Sequence, residues 1–277
     1  MIRNPVLWSW DALRGAAGSL EGVASNPVTA PPQVRRIEFA DLRAALAAGL
    51  DDFRANPTHY VFLCAIYPVM GLLLWYLAVG YDVLPLLFPL IAGFALVGPL
   101  AGSGLYEISR RRERGEQIAW WDALGVFASP SIGGIILLGI GFLLLFAFWM
   151  AVADLLYRAL LPPPDSFADL LRLVFTTGAG WALIVLGNGI GFLFAVAALM
   201  AGTFSFPLLV DRSAAVETAV ATSVRAVLEN KRVMATWGVI VAALLVAGSI
   251  PVLLGLAVVL PVLSHATWHL YRRTIVS

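Results

Sequence analysis

The stretch that decides the fold is Val233–Ser264, VMATWGVIVAALLVAGSIPVLLGLAVVLPVLS, which contains no charged residue. As one continuous helix it would be about 48 Å long at 1.5 Å per residue, far more than the ~30 Å hydrocarbon core of a bilayer requires. Gly248-Ser249-Ile250-Pro251 supplies a break near its middle, because glycine loosens a helix and proline neither donates its N–H nor tolerates the preceding carbonyls. The stretch therefore divides into two spans, 231–248 and 251–271. Working outward, four more segments are long and apolar enough to cross: about 59–79, 83–106, 131–153 and 180–206.

The composition agrees. Of 277 residues, 60% are hydrophobic and 13% charged, with mean hydropathy +0.88, whereas about a quarter of an ordinary soluble domain is charged. A net charge of +1 and the lack of a long basic block exclude nucleic-acid binding. The one cysteine, Cys64, excludes a disulfide framework and a CxxC metal cluster. The lipid bilayer is the expected partner.

Basic residues give the orientation, since Lys and Arg in short loops mark the cytoplasmic side. With six spans, all 18 fall on one side except Arg158 and Arg172. Both termini are thus expected in the cytoplasm. Five spans would move Arg272 and Arg273 outside and weaken the asymmetry.

Met1–Glu21 carries Arg3, Asp11, Arg14 and Glu21, which argues against a cleaved signal. Instead, residues 1–24 are expected as an amphipathic helix, capped at Asn4-Pro5, with Val6, Trp10, Leu13, Ala17 and Leu20 in one apolar stripe. Trp8 and Trp10 suit the headgroup layer; packing on the protein's own loops, or on a partner, is the competing reading. Residues 25–36, with Pro27, Pro31 and Pro32, are read as a linker, the prolines up to Gln33 leaving neither helix nor ladder. Residues 37–277 form the membrane domain.

A repeat organises that domain. Phe39, Leu42, Leu46, Leu50 and Phe53 form a helical stripe ending at Asn56-Pro57 before the first span. Ile118, Trp121, Leu124 and Phe127 end at Ser129-Pro130 before the third, and Val216, Val220, Val224 and Val227 end at Asn230-Lys231 before the fifth. Each stripe steps by three and four and so marks an amphipathic helix. The expected fold is all-α: a polytopic transmembrane helix bundle of six spans as three hairpins, each preceded by an interfacial amphipathic helix. The long outer loop Leu161–Gly180 contains Ser166-Phe167-Ala168-Asp169, a capping-box pattern that opens a short helix.

Few residues offer chemistry. His265 and His269, four apart, share one side of the last helix, where imidazoles could hold a metal or haem iron with His59 as the remaining histidine. The competing reading is an interfacial anchor with Trp268, Tyr271, Arg272 and Arg273. Asn188 lies inside the fourth span and is expected to face the bundle, because an unpartnered amide in hydrocarbon costs several kcal/mol. It serves there either as packing glue beside Gly187 and Gly191, or as a polar site for a solute together with Asp154 and Asp82 near the outer mouth. Arg110, Arg111 and Arg112 are topology determinants, or cations for anionic headgroups at about 1 kcal/mol each. No phosphate loop, nucleophile elbow, zinc helix or dinucleotide fingerprint is present, so neither enzyme activity nor a cofactor is expected.

Gly80–Leu90 (GYDVLPLLFPL), Gly104–Arg112 (GLYEISRRR) and His265–Arg272 (HATWHLYR) resemble a bacterial family of integral membrane proteins of unknown function. The resemblance runs from about Arg36 onward and implies a six-span inner-membrane protein. Some members are labelled as related to cytochrome c oxidase subunit I, which three histidines in this chain do not support. Association with a respiratory complex is the partner hypothesis that follows. The expected function is a non-enzymatic accessory, assembly or scaffold component of a membrane complex; the alternatives are a small-solute transporter or channel, and a haem- or metal-binding membrane protein.

Overall fold

A computed structural model describes residues 32–55, 76, 84–94, 98–251 and 254–276. The expected amphipathic helix 1–24, most of the linker, the first span apart from Tyr76, Cys64, His59 and Asp82 lie outside the described residues.

Three described helices are long and apolar enough to cross a membrane: Ile132–Leu160, Gly178–Asp211 and Lys231–Ser249. The first is α5 (Ile132–Leu160), two turns longer than the expected span 131–153. The second comprises α7 (Gly178–Gly202) and α8 (Ser205–Asp211), which part at Thr203-Phe204. The third is α10 (Lys231–Ser249). Their outward faces are apolar, with Leu144, Phe148, Val185, Phe192, Val239 and Val246 all exposed, as the lipid-facing side of a span requires.

The break in the deciding stretch falls where the glycine and proline put it. α10 ends at Ser249, and α11 (Leu256–Thr274) begins just beyond. A Cβ on Gly255 would stand 2.7 Å from the Gly248 carbonyl oxygen, so the two glycines let the chain fold back with its backbones in contact. α11 differs from the expected span 251–271 in character: its second half is polar yet packed inside protein, with His265, Ala266, Trp268, Leu270 and Tyr271 all buried. In the second expected span, 83–106, and just beyond it, the described residues hold a 3-10 turn Leu84–Leu86, α2 (Leu87–Phe94), α3 (Gly98–Ala101) and α4 (Ser103–Glu113). Only Gly102 separates α3 from α4, and its N–H still reaches the Gly98 carbonyl at 2.8 Å. Trp149 of α5 donates its indole N–H to the Pro89 carbonyl at 2.9 Å, and Gly93 makes room for that ring, since a Cβ there would meet it at 2.6 Å.

At one end of the long helices lies a layer of shorter elements. α1 (Phe39–Ala55) and α9 (Val216–Glu229) match the first and third amphipathic stretches. The middle stretch is a 3-10 helix, Trp120–Ala128, in place of the expected α-helix. With about three residues per turn, Trp121, Leu124 and Phe127 line up as one exposed ridge while Ala123 and Val126 turn inward. The sides of α1 and α9 that face protein combine part of each apolar stripe with small and polar residues: Leu42, Ala45, Gly49 and Asp52 on α1, and Val216, Ala219, Thr222, Ser223, Ala226 and Val227 on α9. α8 is sealed among these elements, with Phe206, Leu208 and Leu209 fully buried and Phe206 edge-on to Phe142 of α5 at 5.3 Å.

Two further elements lie outside the expected pattern. β1 (Gln33–Val34), inside the segment read as linker, pairs antiparallel with β2 (Ile275–Val276). The prolines do forbid a ladder within their own segment, but the partner strand comes from the far end of the chain. Asn230, at the elbow between α9 and α10, is buried; its Oδ1 accepts from the Ile37 N–H at 2.8 Å and its Nδ2 donates to the Arg35 carbonyl at 3.2 Å. In the loop after α5, Ser166 caps α6 (Phe167–Thr176) by accepting from the Asp169 N–H at 3.2 Å.

Candidate functional site: a buried polar junction

The densest polar chemistry lies where α1, α4 and α11 meet. Helical spacing presents the groups: three- and four-residue steps bring Ala45, Gly49 and Asp52 to one face of α1, Ser109, Arg112 and Glu113 to one face of α4, and His265, His269 and Arg272 to one face of α11. Gly49 sets the approach. A Cβ there would lie 2.5 Å from the Ala266 backbone nitrogen, so α1 and α11 touch backbone to backbone, and the next turn of α1 delivers Asp52 to the histidines.

Asp52 Oδ2 receives Ser109 Oγ at 2.8 Å and His269 Nε2 at 2.9 Å, and Arg112 stands 3.3 Å from Oδ1. Ser109 Oγ is also 2.7 Å from His265 Nδ1. One hydroxyl carries one proton, and an ionised carboxylate only accepts. The serine therefore donates to Asp52, and His265 donates its Nδ1–H to the serine. His269 likewise donates Nε2–H to Asp52. Burial alone would raise the Asp52 carboxyl, but hydrogen bonds from His269 and Ser109, with the positive field of the two imidazoles, outweigh it and hold the group below its ordinary value of 3.8. Arg112 also donates to the carbonyls of Asp51 and Asp52 at 3.1 Å, a cation closing the C-terminal turn of α1, where the free carbonyls favour it.

The arginines expected as headgroup or topology residues are built into the same layer. Arg110 and Arg111 pair with Glu107 at 2.7 and 2.8 Å, and Arg111 reaches Asp122 at 2.8 Å, tying the 3-10 helix to α4. Arg272 pairs with Glu113 at 3.1 Å and Asp211 at 3.4 Å, Tyr271 donates to Asp211 at 2.7 Å, and Arg273 stands 3.6 Å from Asp41.

The other expected residues are not drawn into this junction. Asn188 is exposed rather than turned into the bundle, and it donates one amide proton to the Ile184 carbonyl of its own helix at 2.8 Å. Asp154 pairs with Arg158 one turn away at 2.8 Å. Of the Gly187/Gly191 pair, Gly191 abuts Trp149 while Gly187 faces open space. Among the described residues no three His, Cys, Asp or Glu side chains converge in a way that could hold a metal; His265 and His269 are turned instead toward Ser109 and Asp52.

Asp52, Ser109 and Glu113 are the site residues that sequence reading missed. Asp52 left one trace: it continues the Ala45–Gly49 series of small residues, a helix-contact pattern overshadowed by the bulkier stripe beside it.

The helices, with lipid-compatible outer faces and a polar layer at one end, are those of an integral membrane protein. Residues 87–211 match the family described as Predicted integral membrane protein (DUF2189). The DUF2189 match runs from α2 through α8, taking in the arginine run of α4 and two of the three candidate spans. α1 and α11, which supply Asp52, His265 and His269, lie outside the matched residues. No curated protein and no solved structure matches the chain significantly.

Proposed function

We propose that the chain is a non-enzymatic component of a membrane complex, serving as an accessory, assembly or scaffold subunit in the bacterial inner membrane. In this reading six spans form three hairpins, each entered from a surface element, and both termini lie in the cytoplasm. The pairing of β1 with β2 supports the orientation, because it brings residues 33–34 and 275–276 together. The observation that carries the functional reading is the division of labour in the molecule. The charged groups of the junction neutralise one another inside a closed layer, while the long helices turn broad apolar faces outward. Such a molecule holds shape and offers surface; Asn188, exposed on the outside of α7, lends no support to a solute path through the bundle.

The test is genetic and biochemical together. Purification from native membranes in mild detergent is expected to yield a stoichiometric complex, a respiratory assembly among the candidates, whose assembled amount falls when this chain is removed. Isolation of the chain alone, with every membrane complex at its normal level in its absence, overturns the proposal.

A further inference from the structure

The arginines that the sequence marks for headgroups are occupied by carboxylates, which directs attention to the cations that are not. Arg36, Lys231 and Arg232 are exposed, and none has a hydrogen-bonded or ion-paired side chain among the described residues. Two contacts of Asn230 bring them to one place. Its carboxamide holds the Ile37 N–H and the Arg35 carbonyl, fixing the backbone on either side of Arg36 beside the residue that precedes Lys231. Ile37 turns inward and is buried; its extended neighbour Arg36 turns out. Val233 and Met234 are likewise buried, leaving Lys231 and Arg232 outside.

The charge there is uncompensated. Lys231 and Arg232 occupy the first turn of α10, which has no acidic residue, so two cations sit at the end of the helix where its own dipole is already positive. The neighbouring carboxylates are engaged: Glu229 with Arg225 at 4.0 Å, and Asp41 with Arg35 at 2.9 Å. Among the described residues Glu38, exposed and two residues from Arg36 in sequence, makes no ion pair with them. α10 is a candidate membrane span starting at Lys231, which places the patch at headgroup depth.

We propose that Arg36, Lys231 and Arg232 form a binding site for the phosphate of an anionic lipid headgroup at the root of α10. The site needs only the membrane location and is independent of the scaffold reading. Each cation contributes about 1 kcal/mol at such a surface, close to a fivefold change in affinity.

The experiment compares the full chain in nanodiscs of phosphatidylcholine with and without phosphatidylglycerol. Phosphatidylglycerol is expected to raise the melting temperature of the wild type and to be retained in native mass spectra, and the triple variant Arg36→Gln, Lys231→Gln, Arg232→Gln is expected to bind it roughly a hundredfold more weakly. Arg172→Gln, an exposed cation of the outer loop, is expected to behave as wild type. Equal stabilisation of the wild type by both lipids overturns the proposal, and this arm stands even if the triple variant fails to fold. Retention unchanged in the triple variant, or an equal loss in Arg172→Gln, also overturns it. So does abolition of the phosphatidylglycerol effect by millimolar inorganic phosphate, which would identify a free-anion site.

Discussion

Asp52 is an ionised carboxyl with almost no access to water, so its neighbours must supply what solvent does not. Removing it as Asp52→Ala leaves Ser109, His269 and Arg112 facing a void, and the expected loss is about 3–5 kcal/mol, the usual consequence of breaking a buried charged contact from one side. Asp52→Asn keeps the shape and one acceptor and is expected to lose about 1–3 kcal/mol. Thermal unfolding in detergent compares them; equal stability of Asp52→Ala and wild type would show that the junction carries no load. The pH dependence has a definite sign. Folding lowers this carboxyl below 3.8, so the stabilisation is complete above that value and is lost as acid takes the pH down through the folded one. Hydrogen-exchange protection of the α1 amides, corrected for the intrinsic pH dependence of exchange, is therefore expected to fall below about pH 4. The histidine half of the junction was legible because a spacing of four on one helix is local information. The other half was not: Ser109 lies 57 residues from Asp52, and His269 lies 217 from it.

Among the elements, α1 against α11 is the contact most sensitive to a single atom. Gly49→Ala places a methyl against the Ala266 backbone, which cannot rotate away as a side chain would. The expected outcome is a loss of about 1–3 kcal/mol, with new proteolytic cleavage in residues 39–55. Gly187→Ala, facing open space in α7, is the matched control and is expected to leave melting unchanged. The positions of α1 and α9 and the helix break after Ser249 were readable because glycine, proline and the step of three to four residues act through neighbouring atoms. Steps of three such as Trp121, Leu124 and Phe127 fit one face of an α-helix and one ridge of a 3-10 helix equally well. The pattern alone could not choose.

At the scale of the whole molecule, the meeting of β1 and β2 makes a prediction about sidedness. In a Cys64→Ser background, Gln33→Cys and Val276→Cys are expected to react with a membrane-impermeant thiol reagent from the same side of sealed vesicles and to form a disulfide with each other, since they are paired residues of the ladder. Labelling from opposite sides would refute the even number of crossings between them. The distribution of arginine indicated common sidedness, but the ladder itself is a pairing between distant ends and left no local trace. The 217-residue separation of Asp52 from His269 also sets a timetable. At 5–20 residues per second, the ribosome releases α11 about 10–40 s after α1, so the early helix must wait with its contact face bare while the intervening apolar helices enter the lipid. Any lesion that slows that insertion prolongs the wait, and proteases will find the unclasped helix before they find the fault that delayed its partner.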